Sequence, residues 1–168
     1  MSKDEWKLVE EAKQGDAHAF ARLYERYYED LYRFAFCYTR HAQKAEDAVS
    51  QAVLKAYENL QKLRKNNSFK NWLFQITANE CRKILNGKEG YLQDVSFQEP
   101  QGLEEGYAVS ELMELLSGLS ADERMVITLS VFANYNSREI AALLHKKEGT
   151  VRSQKSRALQ KLKSYIAE

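Results

Sequence analysis

Residues 139–163 read EIAALLHKKEGTVRSQKSRALQKLK. Ile140, Leu143 and Leu144 fall on one face of a short helix, HKKE at 145–148 reads as a turn, and Val151, Ala158, Leu159 and Leu162 fall on one side of a longer helix. Arg152, Ser153, Ser156, Arg157 and Gln160 project from its other side. A short helix, a tight turn and a longer helix with a basic polar face make a helix-turn-helix. Between His145 and Lys163 stand Lys146, Lys147, Arg152, Lys155, Arg157, Lys161 and Lys163 against Glu148 alone, a local charge of +6 in a chain whose total is +1. Such a helix fits the DNA major groove, where arginine can donate twice to guanine, while turn lysines and the helix N-terminus can hold phosphates. The competing reading is a helical hairpin whose basic face is merely solvated. Lys155 lies at the edge of the apolar stripe, so its stem is expected on the core with the ammonium outward.

Moving outward, the near-neutral total conceals an uneven distribution. Residues 1–59 carry −2, residues 60–85 carry +5, residues 86–125 carry −7 and residues 126–168 carry +5. Two basic blocks flank an acidic one. Proline occurs once, at Pro100, and apolar residues recur at three- and four-residue spacings almost throughout, which predicts an all-α protein. No run approaches the roughly 18 apolar residues of a membrane span, and MSKDEWKLVEEAKQGD at the N-terminus has no apolar signal core. A cytoplasmic protein without membrane insertion is expected. Cys37 and Cys81 lie far apart in apolar helical contexts and read as reduced packing residues.

A first helix is expected from Lys3 to Gln14, stopped by Gly15, with Asp16 capping the next. That second helix places Phe20, Leu23, Tyr24, Tyr27, Leu31, Phe34 and Tyr38 on helical spacing, with a break expected near Tyr28 to Asp30. In QKAEDAVSQAVLKAYENL, residues 43–60, Ala45, Ala48, Val49, Ala52, Val53, Ala56, Tyr57 and Leu60 share one broad face. A polar loop leads into FKNWLFQITANECRKIL, residues 69–85, where Phe69, Trp72, Leu73, Ile76 and Leu85 again follow helical spacing. From Asn86 to about Val109, five residues of Gly and Pro interrupt an acidic stretch that reads as a flexible linker, with local order expected at Tyr91 to Phe97. Helices at Ser110 to Gly118 and Asp122 to Phe132 precede the helix-turn-helix, whose short helix is capped by Asn136 or Ser137. The division is therefore residues 1–86, a linker at 87–109, and residues 110–168.

The second basic block interleaves Lys62, Arg64, Lys65 and Lys70 with Asn66, Asn67, Phe69, Asn71 and Trp72. Base, aromatic ring and amide together suit single-stranded nucleic acid, in which rings stack on bases and amides read base edges. The plainer reading puts Phe69 and Trp72 in the core.

Five segments in order, GDAHAFARLYERYYEDLYRFA, AEDAVSQAVLKAYENL, FKNWLFQITANECR, LSADERMVITLSVF and SREIAALLHKKEGTVRSQKSRALQKL, resemble the extracytoplasmic-function group of the sigma-70 family. The resemblance implies a sigma factor of bacterial RNA polymerase with two small helical domains. The first, region 2-like, docks on core polymerase and opens the promoter -10 element; the second, region 4-like, reads the -35 element as duplex. By position, Asp47, Gln51, Leu54 and Lys55 would grip the polymerase beta-prime clamp. Arg64, Lys65, Asn66, Asn67 and Ser68 would form the pocket loop for an unpaired -10 base, bordered by Asn71, Trp72, Gln75 and Asn79. Lys147, Thr150, Arg152, Ser153, Ser156 and Arg157 would contact the -35 duplex. Implied partners are core RNA polymerase, through its beta-prime clamp and beta flap, promoter DNA and an anti-sigma factor, with a monomer when free and no cofactor or metal.

The chain departs from the family in its docking helix, where Ser50, Gln51 and Val53 replace the usual Gln-Glu followed two residues later by Phe. Lys83 and Asn86 stand where Asp and Arg are common, Ser120 where proline is frequent, and Asn134 and Asn136 where Gly and Ser are usual. Asparagine tolerates left-handed backbone and caps helices. Two alternatives stay open: a sigma-like decoy that binds an anti-sigma factor, and a stand-alone helix-turn-helix regulator, which would leave residues 1–85 unexplained. An enzyme is not expected, because there is no Gly-rich phosphate loop or metal-spaced cluster, and His18, His41 and His145 lack evident nucleophile partners.

Overall fold

Polar side chains close the N-termini of five of the helices. Ser2 accepts from the Glu5 N–H at the start of α1 (Lys3–Lys13), Asp16 from His18 and Ala19 at the start of α2 (Ala17–Thr39), and the His41 ring from Lys44 at the start of α3 (Ala42–Asn59). Two single 3₁₀ turns, Leu60–Lys62 and Asn66–Ser68, lead into α4 (Phe69–Asn86). Then come α5 (Gly106–Ser117), α6 (Ala121–Phe132), α7 (Ser137–Leu144) and α8 (Glu148–Ala167). Ser120 and Asn136 form reciprocal capping boxes with Glu123 and Glu139. The computed structural model describes residues 1–87 and 106–167, with side chains in the second segment from Val109 onward. The readings for the acidic linker and for order at Tyr91 to Phe97 fall mostly or wholly outside these residues.

Among the described residues every regular element is helical. Left-handed residues end or separate helices where the chain must turn sharply: Gly15 at φ 98°, Arg40 at 57°, Asn134 at 56° and His145 at 54°. The expected break in α2 is absent. Tyr24, Tyr28, Tyr32 and Phe36 form a ladder of rings four residues apart, with successive centroids 5.4, 6.1 and 6.1 Å apart, and Arg33 pairs with Glu29 across the same turns. These contacts carry the helix through Tyr28 to Asp30. Likewise α5 begins four residues before the expected Ser110.

In the first half, α3 packs on α2 and α4 and α1 lies on α2, enclosing Leu23, Leu31, Phe34, Phe69, Leu73 and Phe74. Three polar contacts bind the first helix to the rest: Glu5 accepts from the Tyr27 hydroxyl, the Lys13 carbonyl from Gln61, and Glu10 Oε2 from Asn66 Nδ2 at 2.8 Å. In the second half, α6, α7 and α8 enclose Met125, Leu129, Ile140, Val151 and Ala158. Two expected core residues lie outside. Tyr57 is 49% exposed, resting its ring edge-on against Phe20, and Leu159 is 50% exposed because the buried stripe of α8 runs through Val151, Gln154 and Ala158. Lys155, at the edge of that stripe, is half-buried as its position predicts. Cys37 and Cys81 are free and buried, and burial pushes each thiol up to about 12.

Candidate nucleic-acid interface

The helix-turn-helix forms as the apolar spacing requires. The left-handed His145 closes α7, Lys146 and Lys147 span the turn, and α8 starts at Glu148. Lys147, Thr150, Arg152, Ser153, Ser156 and Arg157 are all exposed on one side, opposite Val151 and Ala158. Arg152 pairs with Glu148 one turn back at 2.5 Å. Lys146 reaches Asp122 at 3.1 Å. One buried carboxylate serves the middle of the helix: Glu123 Oε2 accepts from Lys161 Nζ at 2.8 Å and Oε1 lies 3.7 Å from Arg157 Nε. Its hydrogen bond from Lys161, followed by the Ser120 N–H and the charges of Lys161 and Arg157, holds the Glu123 carboxyl below its ordinary range.

The second basic block folds partly as the 3₁₀ turn Asn66–Ser68 at the start of α4. Arg64, Lys65 and Asn67 are exposed and Ser68 half-buried, but Asn66 is 7% exposed and gives its amide to Glu10. Asn66 thus ties the loop to the first helix. On α4, Asn71 and Asn79 are exposed and Trp72 and Gln75 half-buried, while Phe69 is wholly buried. The ring of Trp72 lies 6.3 Å from that of Phe69, so one aromatic belongs to the core and the other stands at its margin.

On α3, Gln51 and Leu54 face outward beside Tyr57, and Leu54 is 51% exposed. Asp47 is half-buried and accepts from Gln43 at 3.0 Å. Lys55 is engaged by Glu80 of α4, a buried carboxylate that Lys83 also approaches at 3.4 Å. An exposed apolar ridge flanked by charge is therefore present despite Ser50 and Val53.

Residues 23–89 match the family model described as Sigma-70 region 2, and residues 110–162 match that described as Sigma-70, region 4. The chain belongs to the sigma-70 family. The ECF RNA polymerase sigma-E factor of Escherichia coli K12 is 29% identical over 95% of this chain and 92% of its own length. The RNA polymerase sigma-H factor of Pseudomonas aeruginosa is 26% identical over 90% and 88%. Among solved structures, CnrH in complex with the cytosolic domain of CnrY superposes with a TM-score of 0.79 at 21% identity, covering 98% of each chain. The sigma factor RpoE of Bartonella quintana, crystallised with the anti-sigma factor NepR, gives 0.70 at 24% identity over 88% of this chain and 96% of that one. At these identities the two likenesses establish the shared helical fold.

In sigma-70 terms, the helix-turn-helix belongs to the region 4 match, and α3, the basic loop and α4 to region 2. Three participants escaped sequence reasoning: Tyr135, His145 and Glu123. Tyr135 is buried among Phe74, Lys70 and Asn71, residues more than sixty positions away. The one local signal was an aromatic ring between two asparagines in a turn, with no helical register to account for it. Among the described residues no helix is long and apolar enough to cross a membrane.

Proposed function

We propose that this chain is a promoter-specificity subunit of bacterial RNA polymerase, acting in the cytoplasm without catalysis of its own. One observation carries this reading: both family segments present the surface their roles require, an exposed basic face on α8 and a basic, amide-bearing loop and helix edge at residues 64–79. Arg152, Ser153, Ser156 and Arg157 read base edges of the -35 element in the major groove, and Lys147 and Thr150 contact its phosphates. Arg64, Lys65, Asn67 and Ser68, with Asn71, Trp72, Gln75 and Asn79, receive the unpaired -10 strand. Flipping a base costs a few kcal/mol, offset by stacking and basic contacts. Gln51, Leu54 and the flanking Asp47 and Lys55 dock on the polymerase clamp. The folding units correspond to residues 1–86 and 110–168.

The CnrH and RpoE structures each hold another protein, NepR being called an anti-sigma factor, and an anti-sigma partner is proposed here too. The decisive experiment is run-off transcription with purified core polymerase on pooled genomic promoters, with start sites sequenced. Start sites sharing a two-part upstream motif support the proposal. No stimulation would transfer the reading to a sigma-like decoy, with Ser50, Gln51 and Val53 as the cause.

A further inference from the structure

The α4 edge assigned to the -10 strand is contacted in this structure, at Asn71 and Gln75, by the second half of the chain. Tyr135 donates from its hydroxyl to Asn71 Oδ1 at 2.6 Å. Gln75 Nε2 and His145 Nε2 lie 3.1 Å apart, one helical turn further on. Lys70 Nζ donates to the Ala133 carbonyl at 2.7 Å and stands 5.1 Å from the centre of the Tyr135 ring. Beneath these contacts remains a cleft of about 360 Å³, walled by Ser68 and Trp72 on one side and by Glu139 and Leu143 on the other. The Glu139 carboxylate in that wall would repel a phosphate backbone.

Tyr135 offers this surface what a nucleobase would offer: a π face to an ammonium and a hydrogen-bond donor to an amide oxygen. The second half is braced at a distance by Arg124, whose Nε donates to the Tyr38 carbonyl at 2.6 Å while its guanidinium lies 5.5 Å from the Tyr38 ring. We propose that Tyr135 and His145 form an autoinhibitory clasp, in which Tyr135 acts as an internal stand-in for a promoter base and must be displaced before the -10 strand can bind. This rests on the assignment of Asn71 and Gln75 to that strand. Apparent strand affinity is then the intrinsic affinity reduced by the open fraction, so removing one neutral hydrogen bond from the clasp raises it about fivefold.

The test uses the full chain with donor and acceptor dyes at Lys7→Cys and Ser164→Cys, both exposed, while native Cys37 and Cys81 are buried. Tyr135→Phe keeps the buried ring and removes only the hydroxyl. His145→Gly removes the imidazole at a left-handed position that glycine adopts without strain. Energy transfer is measured in the free chain, and affinity is measured for a single-stranded oligonucleotide covering an A·T-rich -10 region and for a -35 duplex. Both variants are expected to change transfer and to bind the strand about fivefold more tightly, with duplex binding unchanged. Unchanged transfer and strand affinity overturn the clasp; altered transfer with unchanged strand affinity overturns its inhibitory role. Absence of strand binding in every chain, with transfer still responding to Tyr135→Phe, overturns inhibition by a separate route, through failure of the Asn71 and Gln75 assignment.

Discussion

Glu123 and Lys161 meet at 2.8 Å across the contact between α6 and α8, so the carboxylate that caps one helix also fixes the roll of the other. Arg157 approaches the same carboxylate. The orientation of the proposed DNA-reading face is therefore linked to the start of α6. Glu123→Gln preserves the capping geometry and loses the charge, whereas Glu123→Ala loses both. The glutamine variant is expected to cost at most about 1 kcal/mol, since Lys161 is half exposed, and alanine about 1 kcal/mol more. Urea unfolding midpoints check the order; equal midpoints for the two variants would refute the double role.

The same carboxylate sets a pH dependence. Because its proton affinity is depressed in the folded state, its contribution is fully present above the ordinary carboxylate range and is lost as pH falls through the folded-state value. The stability gap between native protein and Glu123→Gln should be widest near neutral pH and narrow in acid. Chemical denaturation at neutral and acidic pH measures it, and a constant gap would show that the charge contributes nothing.

Arg157→Ala should weaken binding to a -35 duplex by about 1 to 3 kcal/mol and relax base preference, whereas Lys147→Ala should weaken all sequences alike and reduce the salt slope by about one. Fluorescence anisotropy on native and scrambled duplexes separates them. Undiminished discrimination after Arg157→Ala would reassign the arginine to the backbone or to Glu123 alone.

Leu54 is half exposed and has little folded-state burial to lose. Leu54→Glu should leave the unfolding midpoint within about 0.5 kcal/mol of the native value yet cost about 2 kcal/mol or more in affinity for core polymerase. Competition against a labelled sigma factor reports the affinity, and an unaffected competitor would remove α3 from the docking surface.

Asn66→Asp sets a second carboxylate against Glu10, and should lower stability by about 1 to 3 kcal/mol, with partial recovery in the Glu10→Gln background. Thermal unfolding of the single and double variants reads this coupling. Strand binding lost with no change in melting temperature would instead return Asn66 to base recognition.

What the sequence disclosed was chiefly local. Asp16 and Asn136 were readable as caps because a cap bonds to residues two or three positions away, and α8 was readable as a basic helix because its charges and apolar stripe share one register. Tyr57 and Leu159 were misplaced because helical spacing defines a face but not the edge at which neighbouring helices stop covering it. The break expected in α2 ignored the ring ladder, which exists only once the helix does. Asn66 and Tyr135 were opaque for a common reason: each spends its polar group on a partner more than fifty residues away.

The tie between Asn66 and Glu10 separates two boundaries that are easily equated. The match to the region 2 model begins at residue 23, yet the loop proposed to hold the melted strand is moored to a helix that ends ten residues earlier. A fragment trimmed to that match would retain every proposed DNA contact in region 2 and discard the mooring. Domain dissection guided by that boundary alone would then produce a strand-binding defect that looks like a missing contact and is in truth a missing foundation.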